Sequence, residues 1–144
     1  MIRTAAIRTA AIVLLAVFYG VAGYFHLADP PPFLSITPLW VPWPETVVLL
    51  TGVAELLGAA GLAQPWSKKL RRAAGVGLAL YALCVWPANM NHFAMDMARG
   101  DGGPDSGGLG LAYHIPRMIA QPLIIWLSLW ASGATDWPFR PRKV

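Results

Sequence analysis

The sequence predicts an all-α integral membrane protein: four transmembrane helices in an up-and-down bundle, with both termini in the cytoplasm. Three observations predict it. Of 144 residues, 56% are hydrophobic and only 12% are charged, about half the charge of an ordinary soluble domain. The apolar residues gather in four runs near the length that crosses a bilayer core as a helix. Lysine and arginine are lopsided: they cluster in the N-terminus (Arg3, Arg8), between the second and third runs (Lys68, Lys69, Arg71, Arg72) and in the tail (Arg140, Arg142, Lys143), leaving only Arg99 and Arg117 elsewhere. By the positive-inside rule those three segments are cytoplasmic. The chain reads as a single domain, residues 1–144, multi-pass in the cell membrane.

The first helix is expected at about 5–28. It opens on the tandem IRTAAIRTAAI, and its basic start would also suit a secretory signal cleaved near Val21-Ala22-Gly23. The run is long for that, so it is read as a membrane helix, with Tyr19, Gly23 and His26 on one face. Residues 29–43 follow, where six prolines fall between Pro30 and Pro44 beside Trp40 and Trp43. Proline and tryptophan there point to an ordered outer interfacial loop with a short helix around Phe33–Ile36.

The second helix, 44–63, reads PETVVLLTGVAELLGAAGLA and holds one carboxylate, Glu55. Helical rise puts it roughly 15 Å below the Trp43–Pro44 edge. A lone acid at such depth costs several kcal/mol, on the order of 3, unless it is paired, protonated or beside water. Val48, Thr51, Gly52, Glu55, Gly58, Ala59 and Leu62 recur at helical spacing, so Glu55 shares its stripe with small residues that let helices approach closely. Leu49, Leu50, Val53, Leu56, Leu57 and Ala60 cover the other side. Glu55 is therefore expected to face other helices, either as a structural polar contact or as a group that handles a ligand or a proton.

Residues 64–72 are expected as a basic cytoplasmic loop, and the third helix at 73–96. Pro87 lies inside that helix, frees the Leu83 carbonyl and predicts a kink. The stretch 98–112 is a Gly-rich outer loop by composition. The fourth helix is expected at 114–132, with Pro116 in its first turn and Pro122 predicting a second kink. The tail DWPFRPRKV is polar and basic.

Up-and-down order gathers polar residues at the outer side: His26, then Asn89, Asn91 and His92, then His114, Arg117 and Gln121, with Ser128 further along the same face. Arg117 is expected either to reach inward to an ion pair with Glu55, directly or through Gln121 or Asn89, or to snorkel to headgroups. The run MNHFAMDM adds Met90, Met95 and Met97, groups that suit copper or haem. Met95 and Met97 point to different faces, no HxxxH pair exists, and His26 and His114 read as helix-end residues in wet surroundings, so no metal site is assigned. The Asp101–Asp105 loop lacks a calcium-binding pattern. The single cysteine, Cys84, offers no disulfide exchange. Nothing accompanies the net charge of +4 that would point to nucleic acid, and nucleotide and hydrolase motifs are missing.

Three blocks then carry a resemblance: GVAELLGAAGL with Glu55, the PAN segment at Pro87–Asn89 and the Arg117–Gln121 step, in matching order and spacing between about Val17 and Trp130. Together they resemble the DoxX and DoxX-like membrane proteins. The resemblance implies a four-helix membrane architecture and an association with redox or oxidative-stress systems; a few relatives are subunits of a thiosulfate:quinone oxidoreductase. The chain lacks the cysteine pair of the better-defined redox relatives, so direct thiol chemistry is not implied.

Three functions follow as expectations. In the first, an intramembrane pocket binds a quinone-like lipophilic redox molecule, with Glu55 moving a proton and Arg117, Asn89 and Gln121, aided by His26 and His92, bonding its carbonyls. In the second, the chain is a non-catalytic subunit or assembly factor whose polar network only fixes packing. The third is metal or small-solute transport using His26, His92 and the methionines. Membrane lipid and a protein partner or a second copy are the expected partners. Whether the protein is an enzyme, the sequence leaves open.

Overall fold

The computed structural model of the chain describes residues 2–99 and 109–139. The Gly-rich segment expected as an outer loop and the basic end of the tail fall mostly outside these residues. Among the described residues the protein is helical and has no strand. It runs α1 (Ile2–Ala28), α2 (Pro31–Ile36), α3 (Pro44–Ala63), α4 (Lys68–Arg99) and α5 (Leu111–Ser132). Three helices are long and apolar enough to cross a membrane: Thr4–Ala28, Pro44–Ala63 and Lys68–Arg99. α5 is 22 residues long but carries His114, Arg117 and Gln121, and it does not reach the apolarity of the other three.

The bundle is apolar outside. Leu14, Val17, Leu50, Leu57, Leu80, Ile119 and Leu123 are all exposed, while Tyr19, Leu62, Leu78, Ala82 and Trp130 are buried. That inversion suits a lipid solvent, in which apolar surface needs no covering. Helix contacts depend on glycine. A Cβ on Gly23 of α1 would sit 2.8 Å from the Gly52 carbonyl oxygen of α3, and one on Gly75 of α4 would sit 2.3 Å from Ser132 Cβ of α5. The buried face of α3 comprises Val48, Gly52, Glu55, Gly58, Ala59, Gly61 and Leu62, most of the stripe expected to meet other helices; Thr51 is half-buried.

Four of the five helix starts come earlier than expected, α1 at Ile2 rather than about 5, and those of α4 and α5 matter most. α4 begins at Lys68 rather than at 73, so the basic run is its first turn and not a loop. Cations at a helix N-terminus oppose the helix dipole, but Ser67 caps this end by accepting the Leu70 N–H on its Oγ (3.2 Å). Arg71 turns back and donates to the Leu62 and Gln64 carbonyls at 3.2 and 2.7 Å, the electronegative end of α3. The connection shrinks to a turn in which Gln64 bonds the Gly61 and Ser67 carbonyls and the Ser67 N–H. α5 begins at Leu111 rather than at 114, with Gly110 extended before it. Pro116 therefore lies in the second turn, where its missing N–H leaves the Ala112 carbonyl without its helical partner. At the other end of α5, Gly133 takes the left-handed conformation (φ 79°) that terminates the helix.

The short helix before α3 starts at Pro31, earlier than Phe33, because two prolines suit a first turn. After it the chain exposes Leu39, Trp40 and Trp43. Asn91 of α4 holds the end of α2 by donating to the Ile36 carbonyl (3.0 Å). At the far end of the bundle, Arg8 bonds Asp136 and lies 5.0 Å from the centroid of the Trp130 ring. Arg8 near the start and Asp136 near the end of the described residues thus lie at one end of the bundle.

Candidate functional site

A cavity of about 380 Å³ opens between the five helices at the α2 end. Its walls are largely apolar, from Phe18, Phe33, Ile36, Trp40, Val48 and Ile124, and Glu55, His26, Tyr19, Tyr81, Asn89, Arg117 and Gln121 also line it. Five of the six residues singled out from sequence therefore border one space; the sixth, His92, stands behind Arg117.

One wall belongs to Glu55, 3% exposed. His26 Nδ1 lies 2.9 Å from Glu55 Oε2 and also 2.9 Å from the Ala22 carbonyl oxygen. A carbonyl only accepts, so Nδ1 carries the proton and aims it along the α1 backbone. Glu55 Oε2 is near that proton but has no aligned hydrogen bond, and it is buried. The His26 ring stacks on Phe33 of α2, with centroids 3.7 Å apart. Tyr19 and Tyr81 pack edge to face at 6.1 Å on the same wall.

The facing wall is a chain of directed hydrogen bonds. Arg117 donates to Asn89 Oδ1. Asn89 Nδ2 donates to Gln121 Oε1 at 3.1 Å. Gln121 Nε2 donates to the Ala82 carbonyl, one turn before Pro87, whose missing N–H loosens the α4 ladder. The Arg117 guanidinium also lies 4.9 Å from the centroid of the Tyr113 ring. The expected Glu55–Arg117 ion pair is not formed. Glu55 has His26 as its ionic neighbour among the described residues, and Arg117 is held by neutral partners on α4.

Behind Arg117 sits a cluster the sequence reading did not find. Asp96, 2% exposed, accepts on Oδ2 from the Leu109 N–H at 2.9 Å. His114 Nε2 lies 3.0 Å and His92 Nε2 3.2 Å from the same oxygen. His114 is fully buried, not a wet helix end, because α5 starts a turn earlier than expected and draws the ring against Phe93. The available signal was the His92–Asp96 spacing of four, which sets both on one helix face.

Ligand atoms of His92, Asp96 and His114 lie within 4.8 Å of one another, a spacing that suits a transition metal. The surroundings do not. A histidine that ligates through Nε2 keeps its proton on Nδ1 and donates it outward, whereas Arg117 Nη1 lies 3.1 Å from His92 Nδ1 and can only donate. Arg99 Nη1 lies 3.4 Å from the other Asp96 oxygen, so a cation already neighbours the single carboxylate. Asp96 is the centre of the cluster, hydrogen-bonded to the Leu109 N–H and to His114, with His92 at 3.2 Å.

A helical membrane-type bundle with a largely apolar cavity that carries a few convergent polar groups is the class of protein that fold and site define. Residues 15–132 match the family described as a domain of unknown function, DUF8561, and the chain belongs to that family. No curated protein and no solved structure matches it.

Proposed function

We propose that the protein is a DoxX-like, four-span protein of the cytoplasmic membrane, α5 being the fourth span and both termini cytoplasmic, whose cavity binds a quinone-like lipophilic redox molecule as part of a membrane redox system. The observation that carries the reading is Glu55 Oε2, buried without an aligned hydrogen bond on the wall of a largely apolar cavity. Buried acceptors are ordinarily satisfied, and an apolar pocket with few convergent polar groups is the usual form of a small-molecule site. A quinone head fits this donor set. It is flat and apolar, with two carbonyl poles that require donors. Arg117, with N–H groups beyond those bonding His92 and Asn89, supplies donors at one pole, and Glu55 beside the His26 N–H supplies a place to hold a proton at the other. When bound, such a molecule would supply the electron chemistry; the chain binds, orients and excludes water. The exposed aromatic segment after α2 supports access from the outer leaflet.

The test is purification in mild detergent, mass spectrometry of extracted lipid, and optical spectra. An isoprenoid quinone should co-extract, and Glu55→Gln should reduce its amount at unchanged yield. A protein that extracts without quinone, and whose tryptophan fluorescence a short-chain quinone does not quench, refutes the reading. Apo protein bound to a larger enzyme would support a non-catalytic subunit instead, and a haem or copper signal would support transport.

A further inference from the structure

We propose that Asp96, outside the cavity, is the positioning residue for the cavity's guanidinium. Through His92 it fixes how Arg117 is presented to the lipophilic ligand. The inference rests on the ligand-binding reading above.

The argument is one of donors and acceptors. Carboxylate oxygens of an ionised Asp96 only accept, and His92 Nε2 lies 3.2 Å from Oδ2 without an aligned hydrogen bond, so the negative charge beside it favours the proton on this nitrogen. A guanidinium only donates, and Arg117 Nη1 lies 3.1 Å from His92 Nδ1, so that nitrogen is bare. Both constraints select the same neutral tautomer. His92 therefore works as a one-way connector: it takes a hydrogen bond from Arg117 and sets its protonated nitrogen against the Asp96 carboxylate. On its other side Arg117 donates to Asn89 Oδ1, which turns the Asn89 amide to donate to Gln121, which donates to the Ala82 carbonyl. Every bond on the two arms runs away from Arg117. A buried carboxylate ends one arm and a backbone carbonyl ends the other.

Two ends anchored in this way give Arg117 one orientation, with the Tyr113 ring over its face and its remaining N–H groups for the cavity it lines. Asp96 is itself fixed by the Leu109 N–H and His114 Nε2, both from the α5 side. If His92 lost its proton acceptor, its proton could sit on Nδ1, where it would face the guanidinium donor to donor and turn it away. Asp96 thereby acts on the ligand without touching it.

The test uses the full-length protein in detergent, with a short-chain quinone as probe and ¹⁵N-histidine spectra of the ligand-free protein. Glutamine presents an acceptor and a donor from one amide, as neutral histidine does from one ring, and phenylalanine presents neither. His92→Gln should bind the probe like the native protein, while His92→Phe and Asp96→Ala should bind roughly tenfold more weakly or worse. The spectra should show a bare Nδ1 and a protonated Nε2 at His92, and Arg117→Met should relax that preference. Native-like binding by His92→Phe, a protonated Nδ1 at His92, or stoichiometric Zn²⁺ binding lost in His114→Ala would each overturn the inference. Absence of probe binding by the native protein refutes the ligand reading and, with it, the claim that Asp96 serves a ligand. The spectra then still decide the Arg117–His92–Asp96 alignment by themselves.

Discussion

Gly75 and Gly77 lie two residues apart on α4 and should respond to alanine with opposite signs. A Cβ at Gly75 would stand 2.3 Å from Ser132 Cβ and 2.6 Å from the Ser128 carbonyl oxygen; one at Gly77 meets nothing within 4 Å. Contact between such atoms needs roughly 3.5 Å, so Gly75→Ala is about an ångström short. The Ser132 hydroxyl can rotate away, but its Cβ and the Ser128 carbonyl belong to the α5 backbone and move only with the helix. Forcing an extra methyl into a closed contact costs about 1–3 kcal/mol, and the better helix propensity of alanine returns at most about 1 kcal/mol. At Gly77 only the second effect acts. The propensity gain is common to both, so the two variants should differ by about 1–3 kcal/mol, Gly75→Ala being the less stable. Unfolding in mixed micelles titrated with dodecyl sulfate, followed by tryptophan fluorescence, measures the difference. Equal stabilities would show that α4 and α5 do not cross at Gly75.

At the α1–α3 crossing, Gly23→Leu should lower stability by at least about 1–3 kcal/mol, since the Gly52 carbonyl and Leu56 Cγ stand at 2.8 and 2.9 Å from a Cβ there; Gly20→Ala, with nothing near, is the control in the same titration. Double-mutant cycles should give a larger coupling for His26 with Glu55, 2.9 Å apart, than for Arg117 with Glu55, and the reverse order would restore the ion pair the sequence suggested. Gln64→Ala should cost about 1–3 kcal/mol, because three hydrogen bonds of the α3–α4 turn converge on one buried amide; an unchanged unfolding midpoint would show the turn to be held otherwise. With cysteines placed at Ser67 and Leu39 in a Cys84→Ala background, an impermeant reagent on intact cells should label position 39 alone; labelling of 67 would reverse the proposed orientation.

Much of the bundle is legible in the sequence because periodicity in a lipid solvent is a strong signal. The small-residue stripe through Gly52 and Gly58 marks the inner face of α3, and proline and tryptophan mark the segment around α2. Single-sequence reading loses the registers at helix ends. Ser67 in front of Lys-Lys-Leu is a capping signal, yet four cations at a helix start argue against it, and the cap wins because Arg71 finds the α3 carbonyls. One turn gained at Leu111 buries His114, which read as a wet helix end. That Arg117 stops at Asn89 and His92 instead of reaching Glu55 was not legible for a related reason. Depth along a helix says which groups are level, but rotation about the axis decides which of them meet. That rotation gives Glu55 to His26 and Arg117 to Asn89 and His92.

His114, Arg117 and Gln121 all find their side-chain partners on one neighbour: Asp96, then His92 and Asn89, then Asn89 and the Ala82 carbonyl, every one on α4. On the proposed topology this bears on biogenesis. An arginine costs about 2.5 kcal/mol or more at the centre of a nascent segment and less towards an end; Arg117, the seventh of the 22 residues of α5, carries part of that penalty, and α5 adds an imidazole, an amide and two prolines. A translocon sampling α5 alone would tend to pass it by, while one that still holds α4 at the lateral gate would meet a hairpin whose polar groups already face each other. Quality control should then see a protein whose characteristic failed product has three helices inserted and the fourth left in water. Damage on α4, far from the α5 sequence, would be enough to produce it.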